Sequence, residues 1–386
     1  MVMDQANNSL VHCDQKTVLV IGAGVAGLTA ALCLARERSR VIVIADRFAP
    51  RVTSAVAGAL WEWPPAVCGM HQNTASLASA KRWSDVSYRV FAALSRDATT
   101  GVFLRPVTFY FKRRIGDDSR QAEKMNEYKD KVDLFRHDSN LIAEHGINPN
   151  LGYLDAYTHL APMIDTDAYM RWLLAEVLDA GGQVIEETVV GSLRDQEAKL
   201  LTRHNADAIV NCSGLGAREL TGDPIVPLRG ALIRVCNDGV AMPRIAEAHC
   251  VSHNGSEDDH GFIFIVPRGN DMLVLGGLAE PDEWNVNIDL ANHLPVRDIF
   301  RRCVEFLPAL GGAIIDAAEP VRVGLRPFRR QGVCLENEPG TRIIHNYGHG
   351  GSGVTYSWGC GFDVVKMVTG VTSKNSNAGF AQTAPL

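Results

Sequence analysis

Apolar positions along the chain form short continuous runs that alternate with stretches of helical spacing. Residues 17–21 and 41–45 are continuous apolar runs, which are typical of strands buried in a parallel sheet. Residues 165–182 have apolar positions at helical spacing, with Asp165 or Thr166 as the expected N-cap. The pattern predicts β-α-β units at the N-terminus and again in the middle of the chain.

The rest of the chain contains further apolar runs of strand length. The pattern predicts an α/β fold, in which a nucleotide-binding domain is built from separated segments and an antiparallel sheet domain is inserted into it. A highly charged stretch at 114–136 is expected to form an exposed helix, and 292–306 another helix. Strands are predicted at 102–113, 183–188, 206–217, 228–235, 262–266 and 272–275.

A glycine motif joins the first predicted strand to its helix. Gly22 allows a tight turn, Gly24 lets the backbone approach a pyrophosphate, and Gly27 lets helix and strand pack closely. Asp46 follows the second strand, where an acidic side chain can bond ribose hydroxyls. This order predicts a dinucleotide site and favours a ribose without a phosphate. It does not distinguish FAD from NAD.

Composition excludes several classes of protein. The 386 residues carry a net charge of −6 without a basic run, so no nucleic-acid partner is expected. No apolar stretch approaches the roughly 20 residues of a membrane span, so no membrane partner is expected. Scattered cysteines without a CxxC pair, and termini without a signal peptide or a Ser-Lys-Leu address, predict an intracellular, cytoplasmic protein. No metal site is predicted.

Several motifs follow one another over nearly the whole chain. They are GAGVAGLTAA (22–31), ADRFAPRVTSAVAGALW (45–61), ADAIVNCSGLGA (206–217), IFIVPRGNDMLVLGG (263–277), VGLRPFRR (323–330) and IIHNYGHGGSGVTYSWG (343–359). In this order they resemble the D-amino-acid oxidase and D-aspartate oxidase family of FAD enzymes.

The resemblance implies noncovalent FAD and the oxidative deamination of a D-amino acid. A hydride would pass from the α-carbon to flavin N5, and O2 would reoxidise the flavin, giving hydrogen peroxide and an imino or 2-oxo acid. The resemblance also implies a discontinuous, Rossmann-like FAD-binding domain beside a substrate-binding domain rich in antiparallel β-sheet. The expected boundaries are 1–65, 155–225 and 325–386 for the first domain, and 66–154 and 226–324 for the second.

The resemblance further implies which residues contact FAD. Residues 345–355 form a second glycine-rich turn that opens a helix, and its amides are expected to face the flavin and stabilise its reduced form. An NAD dehydrogenase does not need this turn. The predicted cofactor residues are Gly22, Ala23, Gly24, Val25, Ala26, Gly27, Asp46, Arg47, Thr53, Ser54, Gly58, Ala59, Leu60, Val190, Ser213, Gly214, Arg326, Gly350, Gly351, Ser352, Gly353, Val354 and Thr355.

Four arginines lie within VRVGLRPFRR, a run that begins like a strand entering a core. Arg326 matches the family arginine that binds the substrate carboxylate, and a guanidinium can hold a carboxylate through two parallel hydrogen bonds. The alternative is a structural salt bridge to a protein acid. Arg322 is expected to pair with an acid such as Glu319, whereas Arg329 and Arg330 are expected to be exposed.

The chain departs from the family pattern around the substrate. Phe264 stands where the family has a tyrosine, and no tyrosine occurs between Tyr169 and Tyr347. Losing that hydroxyl removes one hydrogen bond to the carboxylate, worth about 1.5–3 kcal/mol. The residues expected at the catalytic centre are Arg326, Phe264 and Gly350.

Charged side chains near the expected substrate side are candidates for the substrate pocket. Glu62 could favour a substrate with a distal amine, such as a basic D-amino acid, or it could be a structural acid. The family resemblance implies a lid at roughly 240–261. This stretch carries Glu247, His249, His253 and His260, of which the first two are the pocket candidates.

Alternatives to a D-amino-acid oxidase stay open. One is a related FAD amine or imino-acid oxidase that acts on an N-substituted, cyclic or biosynthetic substrate, which the missing tyrosines favour. Another is a flavin-binding protein without catalytic activity. The expected partners are a small amino acid or amine and O2, and the sequence allows a homodimer.

Overall fold

A computed structural model describes residues 15–65, 71, 73–251 and 262–370. The strands are β1 (Thr17–Ile21), β2 (Arg40–Ala45), β3 (Val102–Phe111), β4 (Arg136–His137), β5 (Asp155–Ile164), β6 (Gln183–Glu186), β7 (Ala208–Asn211), β8 (Val226–Cys236), β9 (Ala248–Val251), β10 (Ile263–Arg268), β11 (Met272–Gly276), β12 (Glu280–Pro281), β13 (Val321–Phe328), β14 (Cys334–Asn337) and β15 (Ile343–Tyr347). The helices are α1 (Val25–Arg36), α2 (Thr53–Val56), α3 (Thr74–Leu94), α4 (Ser119–Tyr128), α5 (Leu141–Glu144), α6 (Thr166–Asp179), α7 (Leu193–His204), α8 (Ala217–Thr221), α9 (Leu294–Phe306) and α10 (Gly353–Thr369).

The first sheet has the strand order β14-β15-β7-β1-β2-β6 and is parallel except for β14. Strand β1 is apolar throughout because both of its faces are covered. Val18 and Val20 pack in one core with α1 and α10, whereas Leu19 and Ile21 pack in another with α7. The carboxyl ends of β1 and β7 therefore meet at one edge, where α1 and the turn after Asn211 begin.

The second sheet contains the other strands, in the order β12-β8-β11-β10-β9-β3-β5-β4, with β13 paired along the other side of β8. Neighbouring strands are antiparallel except β3 and β9. Helix α9 covers one face, and Trp61, Trp63 and Tyr88 pack on the other. That second face carries the cavity described below.

The mixed α/β fold with two sheets agrees with the predicted class, while the domain boundaries stay a prediction. Strand β5 falls within the predicted FAD segment 155–225, yet it pairs with β3 in the second sheet. Strand β13 crosses the predicted boundary after residue 324.

Local predictions of helices were confirmed in part. Asp165 caps α6, since its carboxylate accepts from the N–H groups of Asp167 and Ala168 at 3.1 and 3.3 Å. The exposed helix expected at 114–136 was confirmed only over Ser119–Tyr128, where α4 follows a 3₁₀ turn at Ile115–Asp117, and Tyr128 at its end is buried against Trp63. Within the described residues, no helix has the length and apolar character needed to cross a membrane.

Candidate active site

The first glycine turn brings the ends of β1 and β7 into close contact. A side chain at Gly22, whose φ is +111°, would collide with the carbonyl of Cys212, and one at Gly27 would collide with the carbonyl of Gly22. Ser54 reaches this turn from α2, and its hydroxyl accepts a hydrogen bond from Val25 N–H at 2.9 Å. The turn thus presents the amino end of α1 as an anion site, which suits a pyrophosphate.

Other predicted cofactor residues surround this turn. Asp46 lies just beyond β2 and is half-exposed. Its carboxylate forms an ion pair with Arg47, with 2.6 Å between Oδ2 and Arg47 Nη2. At the end of β7, Asn211 accepts hydrogen bonds from both the N–H and the hydroxyl of Ser213, and Gly214 follows with φ +60°. Val190 lies on the surface, with 65% of its area exposed.

The second glycine turn lies directly against the first. A side chain at Gly353 would come within 3.8 Å of Val25, because the amino ends of α1 and α10 are adjacent. Residues Gly350–Ser352 form a single 3₁₀ turn before α10. The Ser352 hydroxyl is buried there and has no hydrogen-bond partner among the residues that the structure describes. Two adjoining glycine cradles and this unpaired hydroxyl fit the polar parts of FAD.

A cavity of about 100 Å³ lies between the second glycine turn and the second sheet. Gly351, Ser352 and Thr355 form one side of it, and the segment 58–60 forms another. The sheet side is mostly apolar. Its described lining residues include Phe109, Leu232, Cys250, Phe262, Ile263 and Phe264. Such a wall suits an uncharged group of a substrate.

Arg326 projects from β13 into this cavity. Its guanidinium lies over Gly230 of the neighbouring strand β8, where any side chain would overlap it. Arg326 Nη1 donates to the carbonyl of Leu278 at 3.2 Å. Among the described residues, no carboxylate forms an ion pair with it. The guanidinium therefore has hydrogen-bonding capacity left for an anion in the cavity.

The other arginines of this run are held by protein acids. Arg322 pairs with Asp167 and with Glu319, each at 2.7 Å, as predicted for Glu319. Arg330 is exposed as expected. The exposure predicted for Arg329 was wrong, because it is largely buried and donates to Asp223 at 2.6 Å. The physical reason is that Arg329 lies against Gly348 in the second glycine turn.

Phe264 and Gly58 touch across the cavity wall. A side chain at Gly58 would come within 2.6 Å of the Phe264 ring, so the ring occupies the space that glycine leaves. Gly350 starts the 3₁₀ turn with φ +55°. The structure thus brings Arg326, Phe264 and the second glycine turn together.

Glu62 lines the cavity but already has a cationic partner. Its carboxylate lies 2.9 Å from Lys124 Nζ, and only 14% and 10% of the two side chains are exposed. Lys124 also donates to the carbonyl of Pro65 at 2.8 Å. Of the two readings of Glu62, this pair favours the structural acid, because the distal amine of a substrate would have to compete with Lys124.

The other two pocket candidates, Glu247 and His249, do not line the cavity. Cys250 faces the cavity, and His249, one position earlier, accordingly faces away. His249 bonds the hydroxyl of Tyr110 at 2.9 Å, and burial lowers its pKa to about 3. Glu247 contacts His145 at 3.2 Å, and burial raises the pKa of its carboxyl. His253 and His260 lie outside the described residues.

Sequence reasoning missed three residues of the site. Gly230 has a recognisable signal, since a glycine inside a strand often marks the close approach of another group. Lys124 and Arg268 have none, because their contacts join residues far apart in the chain. Within the described ranges, no group of three or more His, Cys, Asp and Glu residues is placed to hold a metal ion.

Comparisons with known proteins agree on the family. Residues 17–367 match the family model described as FAD dependent oxidoreductase (DAO). The chain is 37% identical to D-amino-acid oxidase of Rubrobacter xylanophilus over 350 residues, which cover 89% of this chain and 92% of that protein. It is 30% identical to human D-aspartate oxidase over 368 residues, covering 92% and 95%.

Solved structures share the fold at low sequence identity. L-proline dehydrogenase from P. horikoshii has a TM-score of 0.71 at 15% identity, over 93% of this chain and 95% of that one. Glycine oxidase from Geobacillus kaustophilus has a TM-score of 0.70 at 16% identity, over 96% and 100%. The family resemblance seen in the sequence is confirmed.

Proposed function

Since the chain belongs to the DAO family of FAD-dependent oxidoreductases, we propose that it oxidises D-amino acids with uncharged, apolar side chains. Bound FAD supplies the electron acceptor, and O2 reoxidises it with hydrogen peroxide as the product. The amino acid becomes an imino acid, which water converts to a 2-oxo acid and ammonia. The names of the similar D-amino-acid and D-aspartate oxidases support the D configuration.

One observation carries this proposal: Arg326 faces the cavity without an ion-pair partner among the described residues. A largely desolvated guanidinium is stable only when acceptors surround it. A substrate carboxylate would provide them through two parallel N–H···O bonds, which fix both its position and its tilt. Orientation of the α-carbon is the main contribution that the protein must make.

The cofactor contacts are part of the same proposal. The turn at Gly22, Gly24 and Gly27, together with Ser54, would hold the pyrophosphate, and Asp46 would bond the adenosine ribose. The unpaired hydroxyl of Ser352 and the amino end of α10 would face the flavin ring.

The preference for an uncharged side chain follows from the cavity wall. Phe109, Leu232 and Cys250 offer no partner for a charge, and the Glu62–Lys124 pair presents no net charge. A charged side chain entering this cavity would lose its water without a partner. We therefore expect D-leucine, D-valine and D-alanine to be oxidised faster than D-lysine, D-arginine or D-aspartate.

Phe264 supports a second candidate, an N-substituted or cyclic amino acid. A wall without a hydroxyl beside Arg326 accepts alkyl groups on the amine as readily as an apolar side chain. D-proline and an N-methyl D-amino acid represent this class.

A substrate panel with peroxide detection tests the proposal. The purified protein is mixed with the D and L forms of each amino acid and with D-proline, and hydrogen peroxide is measured. We expect peroxide from apolar D-amino acids and little from their L forms. Faster oxidation of D-lysine would instead support Glu62 as a selector of amines. Absence of peroxide and of flavin bleaching with every compound would contradict the proposal.

Two finer predictions accompany it. A homodimer stays a prediction that sedimentation velocity would test. Location inside the cell likewise stays a prediction, which fractionation of the source cells would test.

A further inference from the structure

The segment at residues 57–60 has a backbone conformation that its sequence does not favour. Ala59 has φ +53°, in the left-handed region that glycine adopts easily and alanine rarely does. Ala59 is also buried, with 8% of its area exposed. A non-glycine residue remains in this region only when its surroundings hold it there, and such residues cluster at functional sites.

Hydrogen bonds on both sides hold the segment. Ile164 N–H donates to the carbonyl of Ala59 at 3.0 Å, and Trp61 N–H donates to that of Pro162 at 2.9 Å. On the other side, Arg268 Nη2 donates to the carbonyls of Ala57 and Gly58 at 2.6 and 3.2 Å. The segment is therefore fixed between β5 and the end of β10.

Thr166 links Arg268 to the preceding residues. Arg268 Nη1 donates to the Thr166 hydroxyl at 3.0 Å, and this hydroxyl donates to the carbonyl of Ala55 at 2.7 Å. Arg268 thus holds the carbonyls of Ala57 and Gly58 directly and that of Ala55 through Thr166, and the Ala55 carbonyl also accepts from Arg322 at 3.2 Å.

Arg268 is an unusual group to find in this place. It is 4% exposed, and the groups that accept its hydrogen bonds are neutral: two carbonyls and a hydroxyl. Burial lowers its pKa to about 10, so it stays cationic near neutral pH, with Asp165 and Asp167 nearby. An apolar side chain would fill this space at a smaller desolvation cost. The charge therefore has a role beyond packing.

We relate this role of the Arg268 charge to the backbone N–H groups of residues 57–60. Ala59 and Leu60 line the cavity that Arg326 enters. Among the described residues, neither N–H has a hydrogen-bond acceptor. Ala59 is buried and Leu60 is partly buried, and N–H groups removed from water nearly always have a partner, so these two await a ligand atom.

We propose that Arg268 is a positioning residue, which holds residues 57–60 in the left-handed turn at Ala59 and so directs the Ala59 and Leu60 N–H groups at the bound flavin. This inference rests on the proposed function, because it takes the cavity as the place of the reaction. Arg326 would orient the substrate, and Arg268 would orient the backbone on the cofactor side.

A double-mutant cycle in the FAD-loaded enzyme tests the inference. Arg268→Met keeps an unbranched apolar stem but removes the charge and the hydrogen bonds. We expect at least about a tenfold loss in kcat with KM changed by less than about threefold, because misplacement of a positioning group affects the reacting geometry. The visible flavin spectrum should shift and FAD affinity should fall. Arg268→Lys should recover only part of kcat, because one ammonium cannot reach all three acceptors.

Ala59→Gly provides the specific control. Glycine adopts the left-handed turn without help, so Arg268→Met should cost less than about threefold in kcat in the Ala59→Gly background. A purely structural role for Arg268 predicts the same loss in both backgrounds, and that result would overturn the inference. If Arg268→Met has the same flavin spectrum, FAD affinity and kcat as the wild type, the inference is also overturned, whether or not the melting temperature of the variant changes.

A milder variant covers the case in which Arg268→Met does not fold. Thr166→Val removes one acceptor of Arg268 and the bond to the Ala55 carbonyl, and should lower kcat by about two- to fivefold with a shifted flavin spectrum. An unshifted spectrum would overturn the inference. Spectrum and FAD affinity need no substrate, so they decide this inference even if every tested amino acid fails and the proposed function is wrong.

Discussion

The two ends of strand β13 carry arginines in opposite circumstances. Arg322 lies between Asp167 and Glu319, two carboxylates of the protein itself. Arg326, four residues further along the same face, has a backbone carbonyl and an open cavity, with no ion-pair partner among the described residues. The comparison shows that an arginine side chain can stabilise the fold or bind a ligand. It stabilises the fold when its carboxylate partner belongs to the protein, and it binds a ligand when the carboxylate belongs to the ligand.

Glycine explains how one strand supports both arrangements. Gly230 leaves the space that the Arg326 guanidinium occupies, whereas Leu232 lies opposite Arg322 on the same strand β8. Arg322 is instead directed to the amino end of α6, where it also donates to the carbonyl of Ala55 at 3.2 Å. The residues around Arg322 and Arg326 therefore determine which arginine stabilises the fold and which one faces the cavity.

Removing the ligand-facing arginine should have the largest effect. Arg326→Met is expected to lower kcat/KM for a D-amino acid by about 10³-fold, since two charge-assisted hydrogen bonds are lost at roughly 1.5–3 kcal/mol each. The flavin spectrum and melting temperature should change little. Steady-state kinetics with peroxide detection provide the measurement. Retention of wild-type kcat/KM would contradict the claim that Arg326, unlike Arg322, binds a ligand.

Displacing the guanidinium without removing it should have the next largest effect. A methyl group in Gly230→Ala would overlap Arg326 and push it into the cavity, so KM should rise by about 30-fold, or ~2 kcal/mol. Gly311→Ala, at a position with open space around it, is the matched control and should leave KM unchanged. An unchanged KM in Gly230→Ala would mean that the guanidinium position does not matter.

The fold-facing arginine should behave in the opposite way. Arg322→Met removes the nearer cation of Asp167 and Glu319 and leaves Arg234, at 3.9 and 3.4 Å. We expect a loss of about 1–2 kcal/mol in the free energy of unfolding, less than for a fully buried pair because Arg234 remains and Glu319 is partly exposed. KM should stay within about twofold of wild type. Denaturant unfolding and kinetics together test this, and a KM change as large as that of Arg326→Met would remove the distinction.

Restoring the missing hydroxyl should have the smallest effect. Phe264→Tyr adds a donor to the wall that faces Arg326, and KM should fall by about three- to tenfold, or ~1 kcal/mol. Phe109→Tyr adds the same hydroxyl elsewhere in the lining and should not lower KM. If the two variants behave alike, the Phe264 position has no special relation to the carboxylate.

The sequence was sufficient for features that depend on neighbouring residues. The strand–glycine–helix order around Gly22 is local and was predicted, and Asp165, the cap of α6, was one of the two caps predicted. Pairing of Arg322 with Glu319 was also predictable, because the two lie three positions apart.

Features that depend on distant residues were not accessible in the same way. Lys124 neutralises Glu62, and Arg268 holds Ala57, yet nothing in either local sequence indicates the partner. Which of Cys250 and His249 faces the cavity depends on how β9 pairs with its neighbouring strands, and the sequence alone did not predict that pairing. Tertiary packing likewise buried Tyr128, which ends a helix that looked exposed.

The most direct test of the central claim, that Arg326 binds a substrate carboxylate, is anaerobic reduction of the flavin by matched compounds. The purified protein is mixed without oxygen with D-leucine, L-leucine and D-leucinamide, and the visible flavin absorption is followed. D-leucine should bleach the flavin, while D-leucinamide, which has no carboxylate, should bleach it at least about 10²-fold more slowly at equal concentration. Equal bleaching by the acid and the amide would contradict the account.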